Sequence, residues 1–243
     1  MKKIAILLLG LVLIYSCSNS TDENSIEIIE TYIDGPNVTD IDGNTYQSVT
    51  NCELTFTKTN LNVSKYSDGT LIPKVTDPTA WAALTTGAWC DYNNTTDNGT
   101  TYGKLYNWYA VAGIYDAASA ANPALRKKLA PAGWHVPTDA EWTQLTDCLG
   151  GESVAGGKMK STSTLWQSSN TAAINTSGFS GLPGGARGSN GTFGIIGNFG
   201  YWWSSSEGST TNAGFRGLSY GNGSVVKDNI NKGYGYSVRC VKD

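Results

Sequence analysis

An α+β domain with few short helices and short, glycine-punctuated β-strands is the fold class this chain predicts, and three observations carry it. Glycine is abundant, 29 of 243 residues, and from Gly178 onward it separates β-favouring runs too short for helices. The clearest helix signal is Thr138-Asp-Ala-Glu141, a capping box followed by Trp142, Leu145 and Leu149 on one face. Helical patterns precede a strand-rich final third instead of alternating with it, which favours α+β over α/β. No repeat of solenoid period is present.

Taken in order, residues 17–39 are polar, with Pro36 and little periodicity beyond Ser25-Ile-Glu-Ile-Ile29, and read as a tether ending in an edge strand. The folded domain is expected over residues 40–243. Asp40-Ile-Asp-Gly-Asn-Thr-Tyr46 carries an Asp-Gly hairpin signal, followed by strands at Thr45-Tyr-Gln-Ser-Val-Thr50 and Leu54-Thr-Phe-Thr, with Asn60-Leu-Asn-Val closing the pair. Asp77-Pro78 supplies an N-cap and a first-turn proline ahead of Trp81 and Leu84. Leu105, Trp108, Tyr109 and Ala112 fall at i, i+3, i+4 and i+7, which predicts a helix over Gly103 to Ala112. Gly150-Gly151 stops the capped third helix. The later runs are Phe193-Gly-Ile-Ile, Gly200-Tyr-Trp-Trp, Gly214-Phe-Arg-Gly-Leu-Ser-Tyr, Ser224-Val-Val and Tyr236-Ser-Val-Arg-Cys-Val241.

The first sixteen residues read as an address. Lys2 and Lys3 precede an apolar run from Ile4 to Ile14 that is too short to span a bilayer, which needs about 20 residues. Ile14-Tyr-Ser-Cys17 resembles a bacterial lipobox, which implies acylation of Cys17. An ordinary cleaved signal peptide is the alternative. Asp22 and Glu23 after that cysteine resemble a Bacteroidetes surface-export signal, so the expected place is the outer membrane, lipid-anchored and facing outward. Removing residues 1–16 leaves 227 residues (243 − 16), and the formal charge goes from −3 to −5 as Lys2 and Lys3 leave. No basic run remains, which argues against nucleic acid as a partner. With Cys17 set aside, Cys52, Cys90, Cys148 and Cys240 are an even set in an exported chain, and two disulfides in any of three connectivities are expected.

Several blocks carry a family resemblance: Gly133-Trp-His-Val-Pro-Thr-Asp-Ala-Glu-Trp142, Gly181-Leu-Pro-Gly-Gly-Ala-Arg187, Gly200-Tyr-Trp-Trp-Ser-Ser-Ser-Glu207 and Gly235-Tyr-Ser-Val-Arg-Cys-Val241. Over about residues 40–243 the chain resembles the Fibrobacter succinogenes major paralogous domain, a family of bacterial surface lipoproteins. Pro137-Thr-Asp-Ala-Glu-Trp142, Gly184-Gly-Ala-Arg187 and the final block also resemble the C-type-lectin-like superfold of formylglycine-generating enzymes and diversified receptors. The resemblance implies a Cys90–Cys240 bridge and, by remainder, Cys52–Cys148. Asn51-Cys-Glu-Leu-Thr-Phe56 departs from the family's usual Gly-x-Gln-x-Trp strand, so the N-terminal edge is expected to be built differently.

Catalytic signals are weak. A single histidine, His135, excludes a zinc site of two or three histidines. A packing or turn role is expected for it. Formylglycine chemistry needs a close reactive cysteine pair, whereas only Cys240 follows Cys148. Asp139 and Glu141 belong to a helix start, where the dipole favours them. Glu207, directly after Trp202-Trp-Ser-Ser-Ser206, is the carboxylate suited to a sugar hydroxyl or Ca²⁺ in a lectin-like fold; an internal pair with Arg187, Arg216 or Arg239 is the competing reading.

Trp202 and Trp203 are adjacent in a strand, so their side chains oppose and at most one is expected in the core. An exposed Trp or Tyr beside Asn and Ser suits stacking on a sugar or a partner protein, while core filling is the bland alternative. The expected function is a non-enzymatic binding or adhesion module for an extracellular glycan or surface protein. Its candidate patch is Tyr201, Trp203, Glu207, Asn212, Arg216, Tyr220 and Asn222. No cofactor or metal site is signalled by a motif. A structural subunit of a surface complex is the second reading, and a carboxylate hydrolase the third.

Overall fold

The computed structural model describes residues 32–243; the leader, Cys17 and most of the tether lie outside the described residues. Strands β1 (Ile33–Thr39), β2 (Thr45–Asn51) and β3 (Leu54–Thr57) form an antiparallel meander. The β1–β2 turn closes because Asp40 Oδ1 accepts the N–H groups of Asp42 and Asn44 at 2.9 and 3.0 Å, with Gly43 at φ +87°. Between β2 and β3 the two turn residues, Cys52 and Glu53, both take positive φ (55° and 66°), the mirror-image turn that matches strand twist. Sheet order therefore begins inside the segment read as a tether, with β1 as the expected edge strand.

Four short helices and two strands follow. α1 (Pro78–Ala82) is capped by Asp77, whose carboxylate accepts the Ala80 N–H at 2.7 Å. β4 (Trp89–Cys90) leads to α2 (Thr96–Tyr102), β5 (Leu105–Tyr106), α3 (Trp108–Val111) and α4 (Ala117–Ala121). The helix expected over Gly103 to Ala112 is thus split. Asn107 sits extended (φ −72°, ψ 160°) and caps α3, so Leu105 and Tyr106 pair with β4 instead of coiling. Burial of Leu105 in a strand satisfies the same apolar spacing that predicted a helix.

β6 (Trp134–His135) precedes α5 (Asp139–Cys148), which starts at the expected Thr138–Glu141 capping box and stops before Gly150 and Gly151, both at positive φ. α6 (Glu152–Met159) was not expected, because Gly156-Gly157 depresses helix propensity. Packing overrides that cost: a Cβ at Gly156 would lie 2.3 Å from the Ser224 carbonyl oxygen, and one at Gly157 2.4 Å from that of Ala172. The last elements are β7 (Ala186–Arg187), β8 (Phe193–Gly194), β9 (Phe199–Glu207), β10 (Asn212–Ser219), β11 (Val225–Asn231) and β12 (Val241–Lys242). One sheet runs β1-β2-β3-β12-β6, a second β11-β10-β9, and two small ladders complete an α+β domain.

β9 divides the interior. Trp203 faces a core with Tyr106, Trp108, Phe215 and Tyr236, while Trp202 faces another with Phe56, Trp142, Phe179 and Leu218. Both tryptophans are fully buried, so the expectation of at most one in the core is corrected: this strand is covered on both faces. Their indole N–H groups donate to Asn60 Oδ1 and the Tyr106 carbonyl, each at 2.8 Å.

A chain with so much irregular backbone must find donors for buried carbonyls. Three buried cations supply them. Arg187 donates to the carbonyls of Val75, Thr76 and Gly191. Arg239 donates to Thr57, Phe179 and Ser180 carbonyls and to Asn60 Oδ1. Lys160, its pKa lowered to about 8 by burial, donates to the carbonyls of Thr171, Ser219 and Asn222 at 2.6–2.8 Å. No carboxylate pairs with these three among the described residues; carbonyl dipoles hold the charge.

The disulfide pattern is half as expected. Cys52 and Cys148 are bridged, joining the β2–β3 turn to the last residue of α5. The expected Cys90–Cys240 bridge is absent: both are buried free thiols. They belong to different clusters, Cys90 with Trp81, Tyr92 and Leu105, and Cys240 with the Trp203 core. Burial pushes the Cys90 thiol up to about 12 and raises that of Cys240.

Candidate functional site

Four elements meet at one end of the three-stranded sheet. β9 bulges there: Ala213 pairs with Glu207 and Phe215 with Trp203, so Ser204, Ser205 and Ser206 stand opposite Gly214 alone. On the other side Gly214 pairs with Asn229 of β11. The bare glycine floors a cleft of about 260 Å³ lined by Asp139, Ser206, Glu207, Lys227, Asp228 and Asn229. The α5 start is locked to the bulge, since Ser206 Oγ accepts the Asp139 N–H at 2.9 Å.

Ion pairs fix the walls. Asp139 receives Arg216 Nη1 at 2.7 Å and Lys227 Nζ at 3.0 Å. Burial opposes its ionisation, but these two cations outweigh burial and hold the carboxyl below its ordinary value. Glu207 is exposed and pairs with Lys232, which also donates to the Thr210 carbonyl and lies over the Trp108 ring. The internal pairing foreseen for Glu207 therefore exists, with Lys232 in place of an arginine. Among the described residues no three His, Cys, Asp or Glu side chains gather for a metal ion.

The residues of the candidate patch are not one surface. Glu207 lines the cleft, and Arg216, 1% exposed, supports it from beneath through Asp139. Asn212 is half-buried at the same end. Trp203 is inside the core and is removed from the patch, because the β9 face it occupies is roofed by Tyr106 and Tyr236. Tyr201 is half-buried, stacked on Tyr236 at 4.8 Å and on Phe199 at 5.7 Å. Tyr220 and Asn222 lie just past the far end of β10, eight and ten residues from Asn212, which puts Tyr220 about 26 Å away at the strand rise. Tyr220 packs against the Trp202 core, and the Asn222 carbonyl is taken by Lys160.

With this geometry fixed, comparison with known families is decisive for kinship: the Fibrobacter succinogenes major domain matches residues 50–242. The chain belongs to that family. No curated protein and no solved structure matches it. β1 and most of β2 lie ahead of the matched family domain and extend its sheet.

A second cleft of this Fibrobacter succinogenes major domain holds His135, Ser205 and Asp243, with Lys127, Lys128 and Trp134 around about 210 Å³. It has the residue types of a catalytic triad without the geometry. His135 Nδ1 meets Asp243 at 2.6 Å and Nε2 meets Glu141 at 2.8 Å, so neither ring nitrogen is left to deprotonate Ser205. Burial opposes the charged imidazole, yet the two carboxylates win and raise its pKa. His135 ties β6, α5 and Asp243 together.

Sequence reasoning missed Ser206, Gly214, Lys227, Asp228 and Asn229 as site residues. Ser206 and Gly214 lie inside the aromatic and glycine-rich motifs, but only strand pairing reveals that they are neighbours. Lys227-Asp228-Asn229 carried no signal beyond polarity.

Proposed function

We propose that this protein is a lipid-anchored cell-surface binding module, non-enzymatic, with a C-type-lectin-like domain that takes an extracellular glycan or a surface protein. One observation carries the reading: hydroxyl, amide, carboxylate and ammonium groups from α5, β9 and β11 converge on the Gly214-floored cleft. Such groups, fixed beforehand by ion pairs, can exchange hydrogen bonds with a polar ligand at little ordering cost. Anchoring rests on the Ile14-Tyr-Ser-Cys17 lipobox, and placement at the outer membrane on the acidic stretch after it. Support for the lectin-like fold comes from where the shared motifs fall: Pro137 to Trp142 opens α5, Gly184 to Arg187 leads into β7, and Gly235 to Val241 ends in β12.

Hydrolysis is less well supported. A glycosidase needs one carboxyl kept protonated near neutral pH, and Asp139 is shifted the opposite way by its two cations. Binding is also proposed to be independent of Ca²⁺, because Asp139 and Glu207 are each already matched to a cation. The test is a glycan array probed with the full chain, with Ca²⁺ and with chelator. Specific hits, equal in both conditions and weakened about tenfold in Asn229→Ala or Glu207→Gln, are expected. A blank array from disulfide-intact, folded protein moves the assignment to a subunit of a surface complex.

A further inference from the structure

A second pocket, sharing no residue with the Glu207 cleft, opens between the β1–β2 turn, the loop after β3 and the end of α2. Its volume is about 260 Å³, just under the roughly 300–1,000 Å³ of sites for drug-sized ligands, so it suits something smaller. No charged side chain among the described residues lines it; amides, hydroxyls, two tyrosines and Leu182 do. That composition separates it sharply from the ion-paired cleft.

The floor is already fixed. Asn60 is buried, with Oδ1 accepting from Trp202 Nε1 at 2.8 Å and Arg239 Nε at 2.6 Å, and Nδ2 donating to the Tyr102 carbonyl at 2.7 Å. Gly103 ends α2 at φ +76°, where a Cβ would come within 2.8 Å of Asn60 Cβ; that close approach brings α2 against the floor. On the walls, Lys104 Nζ holds both the carbonyl and Oδ1 of Asn62, at 2.6 and 2.8 Å, which fixes the amide and leaves its Nδ2 unspent. Asn44 spends Nδ2 on Asp40 Oδ2 at 2.8 Å and keeps Oδ1 free of any partner among the described residues. The same holds for the hydroxyls of Thr59 and Thr101, both exposed at the rim, and for the Tyr102 phenol. The pocket thus offers an oriented donor (Asn62), an oriented acceptor (Asn44) and three hydroxyls able to do either.

We propose that this pocket is a second ligand site, taking a single ring of a neutral sugar. A polyhydroxylated ring is the ligand whose mixed donors and acceptors match that set, and the lack of a lining charge favours it over acidic sugars, phosphates or amines. The inference stands apart from the Glu207 cleft and survives if that cleft binds nothing.

The experiment uses the full chain with glucose, galactose, mannose, xylose and N-acetylglucosamine, read by saturation-transfer NMR and titration calorimetry. At least one sugar binds in the millimolar range, unaffected by 0.5 M NaCl. Affinity falls about tenfold or more when the two rim hydroxyls are removed together, Thr59→Ala with Thr101→Ala. Measured in a Glu207→Gln background, which weakens the first cleft, binding persists and is lost when Thr101→Trp is added to fill the mouth. Because Thr59 and Thr101 are exposed, the rim variants keep the parent melting temperature. Absence of binding by all five sugars, loss of binding in Glu207→Gln alone, or binding in that background that survives Thr101→Trp would each overturn the assignment.

Discussion

Among the described residues, reducing the Cys52–Cys148 bridge isolates one covalent bond, since Cys90 and Cys240 are already thiols. The bridge spans 96 residues of sequence. In the chain-entropy model a loop of that size adds about 4.7 kcal/mol by restricting the unfolded state. For a domain of this size each kcal/mol moves the melting temperature by roughly 2–4 °C, so the expected fall is roughly 9–19 °C. The bridge also acts locally, pinning a turn in which two non-glycine residues hold positive φ, a conformation that costs about 1–2 kcal/mol per residue. Calorimetry with and without a phosphine reductant, repeated on Cys148→Ala, measures the effect. The variant should match the reduced wild type and show no further response to reductant. A shift under about 3 °C, or a reductant response that persists in Cys148→Ala, would refute the reasoning.

Four further outcomes follow from the geometry. Trp203→Ala removes a fully buried indole and its bond to the Tyr106 carbonyl, so it should cost about 3–5 kcal/mol; thermal denaturation reads this, and an unchanged melting temperature would put Trp203 back on the surface. The His135 tie is formed by a raised pKa, so its contribution is complete below the ordinary value of 6.5 and is lost as pH rises through the folded value. Melting curves of the wild type should therefore fall over that window relative to His135→Ala, and parallel curves would sink the idea. Lys160→Met strands three buried carbonyls and should lower stability by about 2–4 kcal/mol, with faster hydrogen exchange around Thr171 and Asn222; a neutral effect would mean that water replaces the ammonium. Glu53→Gly relieves an exposed left-handed residue at the β2–β3 turn and should stabilise by up to about 1 kcal/mol, whereas a lower melting temperature would show that the Glu53 side chain contributes there.

What was legible in the chain was local. Thr138 and Glu141 announce a helix start because capping chemistry acts over three residues, and Asp77-Pro78 does the same for α1. The Asp-Gly turn at residues 42–43 and the strands flanking it were readable for the same reason. Errors came where a distant partner decides. Leu105 is a strand residue because β4 is there to pair with it, and Gly156-Gly157 is helical because Ser224 and Ala172 press on it. Cysteine pairing is the sharpest case. Four thiols allow three connectivities, and what separates Cys90 from Cys240 is that each packs into a different hydrophobic cluster, a matter of packing alone.

The candidate site shows the same division. Glu207 lines a polar cleft because it is the last residue of β9, where the strand leaves the core. The aromatics beside it were misjudged by a symmetry argument: adjacent strand residues do face opposite ways, but opposite ways here means two cores, not core and solvent. In this helix-poor domain both faces of β9 fill hydrophobic clusters, and Trp202 and Trp203 are large enough to anchor one each. The proposed recognition is thereby displaced to the polar residues at strand ends and loops, where the backbone is irregular. Arg187, Arg239 and Lys160 are what make that irregular backbone stable, each replacing a missing ladder partner with several N–H donors. Both proposed sites lean on such cations, the Glu207 cleft on Arg216 and the amide pocket on Arg239 through Asn60. Substitution of Arg239 should therefore disturb sugar binding at the second pocket through the Asn60 amide, while leaving the Glu207 cleft to its own guanidinium.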